Sequence, residues 1–279
     1  MKYLVLGSEG QIGAELCQYL RDRQHKVIEF DILNQESQDL RIYKNELLDK
    51  SIEDCDFIFF LAFDVGGSRY LKKYQHTFEF LHNNITLMAN TFEAVKKHNK
   101  PFIFASSQMS NMSYSPYGVA KAVGERYTNS LGGLVVKFWN VYGPEKDLEK
   151  SHVITDFIIK ARDTRKIDML TDGTEVRQFL HAEDCSRGLE ILSQKYDEIS
   201  RDNELHITNF EWTSIIDIAN MIGEHFEGTE VVPSEAKDSV QLDARNEADP
   251  LILEYWQPTI DIKTGIKMII DDMEEQNEA

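Results

Sequence analysis

The chain opens with MKYLVLGSEGQIG, residues 1–13, and this stretch decides the fold. Tyr3 to Leu6 is a short apolar run without polar alternation, the pattern of a strand buried on both faces. Gly7, Gly10 and Gly13 follow at three-residue intervals and open a helical segment. The first glycine permits a tight turn. The second lets backbone approach a pyrophosphate, which then rests on free N–H groups at the helix N-terminus. Gln11 and Ile12, between the later glycines, are candidate contacts to the same group. Val27 to Phe30 is the next strand, and Asp31 ends it. A carboxylate there accepts hydrogen bonds from an adenosine ribose and repels a 2′-phosphate, so the cofactor expected is NAD rather than NADP.

Outward from this loop, Phe57–Ala62, Phe102–Ala105 and Leu134–Phe138 are further continuous apolar runs, with helical patterns between them. Ile85, Met88, Ala89, Phe92 and Val95 fall on one helical face, and that helix should end near Asn99, ahead of Pro101. Such β–α alternation predicts an α/β fold, a doubly wound parallel sheet of the Rossmann kind with a smaller C-terminal substrate-binding lobe. The expected division is 1–145 for the cofactor domain and 146–279 for the lobe, with the segment around 178–195 a candidate to return to the first domain. Beyond the charged connector Glu145–Ser151, helices are expected around Thr155–Ala161, Ala182–Leu192, Ser214–Phe226 and Ile260–Met273, and a short strand at Thr229–Val232.

A net charge of −18 repels phosphate backbones and anionic membrane surfaces, so neither nucleic acid nor a membrane is an expected partner. A phosphorylated ligand would then need a local cation against the protein's own field. Cys17, Cys55 and Cys185 stand singly and far apart, and the eight histidines show no metal-ligand spacing. No metal is expected, and the three cysteines suit a reducing, cytoplasmic setting. The opening residues are too soon interrupted to be a signal peptide, and no apolar run approaches membrane-spanning length.

Tyr117-Gly118-Val119-Ala120-Lys121 is a YxxxK pattern that puts a phenol and an ammonium on one helix face. A nearby cation favours phenolate, which makes tyrosine usable as a base near neutral pH. Ser106 and Ser107 follow directly on Phe102–Ala105, at the strand end where doubly wound sheets bind ligands. With GSEGQIG, Asp31, FIFASS at 102–107, YGVAK, KFWNVYGP at 137–144 and DGTEVRQFLHAED at 172–184, the chain resembles the extended short-chain dehydrogenase/reductases that act on nucleotide sugars.

The resemblance implies roles residue by residue. Ser107 would hydrogen-bond the reacting sugar oxygen, Tyr117 would be the acid/base, and Lys121 would hold the nicotinamide ribose and lower the tyrosine pKa. Leu61, Ala62 and Asn84 would flank the cofactor, and Asp39 and Leu40 its adenine. Asn140 and Arg177 would contact the sugar nucleotide, with Arg177 the cation sought above and Arg245 a second candidate. A nucleotide sugar is the expected partner, and a homodimer is implied through Thr77–His98 and Tyr117–Leu131, with Phe78, Phe80, Leu81, Leu87 and Met88 as its apolar content.

The departures narrow the chemistry. Only nine residues separate Ser107 from Tyr117 where the family usually carries a longer loop, so the sugar site should be more open. Lys137 replaces a family arginine. Gln108 and Met109 stand where the 4,6-dehydratases carry an acidic pair and where C3/C5 epimerases carry a cysteine. What remains is oxidation or reduction at sugar C4, as a 4-epimerase or a 4-dehydrogenase. A nucleotide-sugar dehydratase, or a non-catalytic dinucleotide sensor on the same fold, is the alternative. Val65-Gly66-Gly67 resembles a segment of GDP-sugar enzymes and tilts the substrate toward GDP, with Val65, Gly66, Gly67 and Gln108 as further substrate contacts. His181 is expected to be structural.

Overall fold

The computed structural model describes residues 1–145, 147–238, 240 and 246–278. In chain order the elements are β1 (Lys2–Leu6), α1 (Gln11–Asp22), β2 (Lys26–Phe30), α2 (Glu46–Glu53), β3 (Phe57–Phe60), α3 (Ser68–Tyr74), α4 (Phe78–His98), β4 (Phe102–Ser107), α5 (Pro116–Ser130) and β5 (Leu134–Phe138). The second half adds β6 (Asn140–Tyr142), α6 (Val153–Thr164), β7 (Lys166–Asp168), β8 (Val176–His181), α7 (Ala182–Gln194), β9 (Leu205–Ile207), β10 (Trp212–Ser214), α8 (Ile215–Gly223), β11 (Glu230–Val232) and α9 (Ile262–Glu278).

The main sheet has the order β2-β1-β3-β4-β5-β9, and every neighbouring pair is parallel. Every residue of β3 and β4 is buried, as apolar runs sandwiched between helix layers must be. Leu16, Cys17 and Leu20 of α1 and Cys185, Leu189 and Leu192 of α7 cover one face. The other face is covered by Leu48 and Ile52 of α2, Met88, Phe92 and Val95 of α4, and Ala120 of α5. Strand order reverses between β1 and β3, so their carboxyl ends open a crevice there, the place where such sheets bind ligands. The expected doubly wound fold is present, and its sixth strand, β9, comes from beyond residue 195.

The lobe is built on two small sheets, β10-β8-β6 and β11-β7. Their core holds Phe157 and Ile158 of α6, Ile218 and Ile222 of α8, and Ile266 and Ile269 of α9. The chain is interleaved, because Ile252 and Trp256 join the core beneath the main sheet.

α4 shows how a helix is fixed by its ends and its stripe. Thr77 caps its start by accepting the Phe80 N–H at 3.2 Å, and Asn99 closes it in the left-handed region at φ 50°. Phe80, Asn84, Leu87, Met88, Thr91, Phe92 and Val95 are buried at three- and four-residue spacing. The buried face is thus rotated from the one read in the sequence, and Ile85 is 40% exposed.

Candidate active site

A cleft of about 1530 Å³ runs along the carboxyl ends of the strands, from Asp31 and Gly10 at one end to Asn140 and Thr155 at the other. Gly7 has φ +89°, and a Cβ there would lie 2.7 Å from Ala62 backbone atoms. A Cβ on Gly13 would meet the Gly7 carbonyl oxygen at 1.9 Å. These two glycines are required by the chain's own packing. Gly10 is not: a Cβ there would meet only one atom, at 3.4 Å, so the space above it is left for a ligand. Gly10 caps α1 without a side-chain bond and no acid lies in the first turn, which leaves that helix start open to an anion. Gln11, Ile12, Leu61 and Ala62 line the same cleft.

Asp31 accepts the Glu9 N–H on one oxygen and the Leu33 N–H on the other, both at 3.0 Å. Each oxygen keeps a lone pair toward the cleft that it lines. These residues fit a dinucleotide. Asp39 lines the cleft too, clamped by Arg41 through contacts of 2.8–3.1 Å, with Leu40 buried beside it. Asn84 is fully buried behind the cleft wall, and it is Asn83 that lines the cleft. The Asn84 side chain accepts from Asp64 N at 2.8 Å and donates to Asp64 O at 3.1 Å, so it clamps the loop after β3.

Ser107, Tyr117 and Lys121 all line this cleft. The turn Gln108–Asn111 brings them together by pressing on the first turn of α5. Gly118 permits that approach, since a Cβ there would lie 2.1 Å from the Met109 carbonyl oxygen. Gly124 plays the same part deeper in α5, against the ring of Phe104. Ser107 Oγ accepts the Met109 N–H at 3.1 Å, on the cleft wall that Tyr117 also lines. Burial pushes the Tyr117 phenol up to about 12, and the nearby Ser107 hydroxyl pulls the other way.

Lys121 is 3% exposed and donates to the Ala105 carbonyl at 2.6 Å. Burial pushes its ammonium down to about 7, and the charge of Glu125 opposes this. Its Nζ lies 5.9 Å from the Tyr117 ring centroid.

On the substrate side, Val65, Gly66, Gly67, Gln108 and Asn140 line the cleft. Both glycines are also closely packed. A Cβ on Gly67 would meet Ser151 O at 2.4 Å, and one on Gly66 would meet Tyr70 and Lys150 side chains near 3.0 Å. Asn140 donates to Gln178 O at 3.2 Å. Arg177 is in β8 beyond the cleft wall, where its guanidinium is ion-paired with Asp238. Gln108 is buried, and its side-chain oxygen accepts from Asn246 at 2.8 Å. Arg245 falls outside the described residues. His181 caps α7 by accepting the Glu183 N–H at 3.3 Å, and burial lowers its pKa.

Sequence reading missed three groups. Phe63 lies between Tyr117 and Lys121. Its ring is edge-on to the tyrosine at 5.6 Å, and its face lies 3.9 Å from the lysine Nζ. Glu125, one turn beyond Lys121, accepts from Ser106 at 2.5 Å, a link that the i+4 spacing from Lys121 could have signalled. Lys137, 1% exposed, joins that buried network at 2.6 Å from Glu204 and 3.8 Å from Glu125.

A family model described as the NAD dependent epimerase/dehydratase family matches residues 3–208. A Bacillus subtilis (strain 168) protein named as an uncharacterized UDP-glucose epimerase, YtcB, is 28% identical over 80% of this chain and 81% of its own length. The GDP-L-fucose synthase of Sinorhizobium fredii is 24% identical over 94% of this chain and 92% of its own. The UDP-glucuronic acid 4-epimerase from Bacillus cereus, solved with UDP-glucuronic acid and NAD, superposes with a TM-score of 0.81. That match is 23% identical and covers 99% of this chain and all of the other, and it is a likeness of fold. The resemblance read from the motifs therefore stands, and the protein belongs to the NAD-dependent epimerase/dehydratase family.

Proposed function

We propose that the protein moves a hydride at C4 of a nucleoside-diphosphate sugar, as a 4-epimerase or a 4-dehydrogenase. The observation that carries this reading is the convergence of Ser107, Tyr117 and Lys121 on the wall of one cleft that also holds the open glycine loop and Asp31. NAD, when bound, takes up hydride from a sugar alcohol or returns it to a keto sugar. Tyr117 takes the proton of the O4 hydroxyl during oxidation and gives it back during reduction. Ser107 accepts the Met109 N–H and donates its one O–H to the same sugar oxygen, holding it beside Tyr117. Lys121 is the cation on this wall that favours the phenolate, whose formation burial alone opposes.

Gln108 and Met109 carry no carboxylate, and Gln108 is tied to Asn246, so these two positions supply no acid–base pair for removing water across C5 and C6. Val65, Gly66 and Gly67 would lie beside the sugar, and Asn140 beside the nucleotide. Arg177 would meet the diphosphate after leaving Asp238. The two relatives named above divide between UDP and GDP, and assaying both tests the base.

The same reading takes the protein to be a cytoplasmic homodimer. Phe78, Leu81 and Ile85 on α4, and Val119, Val123 and Tyr127 on α5, are apolar and exposed by 36–72%. A second copy would cover them. Phe80, Leu87 and Met88, expected in that interface, are spent inside the chain's own core at 8% exposure or less.

Incubation with NAD and a panel of UDP- and GDP-hexoses, followed by absorbance at the NADH band and by sugar analysis, tests the proposal. Turnover of a C4 alcohol with NAD, or of a 4-keto sugar when NADH replaces NAD, is expected, and Tyr117→Phe should slow it by about 10²–10⁴-fold. Wild-type protein inert toward the whole panel would overturn it.

A further inference from the structure

Lys121 is a buried cation without a carboxylate partner. Among the described residues no acid lies within ion-pair reach of it, and the Ala105 carbonyl takes one of its three donors at 2.6 Å. Three rings stand near its Nζ: Phe63 at 3.9 Å, Phe104 at 5.2 Å and Tyr117 at 5.9 Å from Nζ to centroid. A desolvated ammonium over a ring face is held by the ring quadrupole, and the attraction grows as water is excluded. Phe63 is the nearest of the three, and its backbone is fixed on both sides. Ala62 is pressed against Gly7, and Asp64 is clamped by Asn84.

We propose that Phe63 is a positioning residue for Lys121, its ring face holding the ammonium charged and in place at the Ala105 carbonyl. The proposal rests on the reading of Lys121 as the cation of the C4 site and deepens it. A carboxylate in that place would also hold the charge, but it would repel a phenolate forming on Tyr117. An aromatic face holds the cation without adding an anion. The 5.6 Å edge-on contact lets the same ring fix the Tyr117 side chain.

The other groups around the ammonium are accounted for. On α5 these are Tyr117 and Glu125, the latter bonded to Ser106 of β4. On β5 it is Lys137, paired with Glu204. On the loop after β3 it is Asp64, which accepts from Tyr70 at 2.6 Å and Lys150 at 3.2 Å. None replaces the ring in direct contact with Nζ.

The test is a pH titration of the ε-carbon signals in NAD-free, ¹³C-lysine-labelled protein, with Lys121→Met assigning the signal. It needs no substrate and no turnover, so its outcome is independent of the proposed reaction. Phe63→Leu keeps an apolar side chain and removes the quadrupole. It should lower the Lys121 midpoint by about one pH unit, the size of a desolvated cation–π contact. Phe63→Met serves equally if Phe63→Leu does not fold. Phe63→Tyr retains a ring and should stay within a few tenths of a unit of wild type, on the order of the difference between the two rings. An unchanged midpoint in the ring-less variants, or an equal drop in Phe63→Tyr, would overturn the proposal.

Discussion

Replacing Lys121 with methionine separates what the site requires from what the fold prefers. Burial puts the folded-state pKa of this ammonium at about 7, against an ordinary value of 10.5. Between those values the unfolded chain binds more protons than the folded one, so stability rises with pH across that window. Below about 7 both states are charged and the cost of burying the charge is felt in full. Above 10.5 both are neutral and the cost vanishes. One pH unit of separation corresponds to about 1.36 kcal/mol, so at pH 7 the lysine destabilises the fold by about 4 kcal/mol relative to a neutral side chain of similar shape. Lys121→Met also gives up the bond to the Ala105 carbonyl and leaves it unpaired, a loss of about 1–3 kcal/mol. The net expectation at pH 7 is a protein more stable by about 2 kcal/mol and inactive. That gain should shrink with rising pH and turn into a small loss toward pH 10.5, where only the hydrogen bond counts. Urea unfolding from about pH 6 to about pH 10 measures it, with an unchanged denaturant slope confirming a change in stability alone. A variant less stable than wild type at pH 7, or a difference that ignores pH, would refute the reasoning.

Other expectations follow from the same geometry. Asp31→Ala should weaken NAD about tenfold or more by removing ribose hydrogen bonds, and should narrow the preference over NADP. Calorimetric titration with both cofactors checks this, and equal wild-type affinities would contradict it. Tyr117→Phe should keep NAD binding and slow hydride transfer by about 10²–10⁴-fold, the usual worth of a positioned acid–base group. Ser107→Ala should cost less, as it removes an orienting bond and leaves the phenol; single-turnover kinetics rank the two. Light scattering of wild type should give twice the chain mass, and Ile85→Asp with Val123→Asp should give the monomer with its circular dichroism intact. A monomeric wild type would remove the proposed interface.

The glycine loop was legible because two of its glycines answer to steric demands that reach only to Ala62 and to Gly7 itself. The parallel sheet was legible because strands buried on both faces leave unbroken apolar runs. β9 was not, since three residues, Leu205-His206-Ile207, carry too little pattern to separate a strand from a turn. The pair proposed as catalytic, Tyr117 and Lys121, showed itself through helical spacing, a local property. What surrounds it did not, because the partners lie far off in the chain: Phe63 reaches Lys121 across 58 residues, and Asp238 pairs with Arg177 across 61. The turn of α4 about its axis was likewise set by neighbours: Phe60 and Phe104 both pack on the ring of Phe92, and Ile85 is left outside.

Where a hydrogen from C4 goes tests the central claim most directly. A nucleotide sugar carrying deuterium at C4 is turned over by the NAD-bound enzyme, and the label is located by NMR. The account predicts deuterium at C4 of the epimeric sugar, or on the reduced nicotinamide beside a 4-keto sugar. Deuterium in a C6 methyl group would mean dehydration, and would contradict the assignment of C4-only chemistry to Ser107, Tyr117 and Lys121.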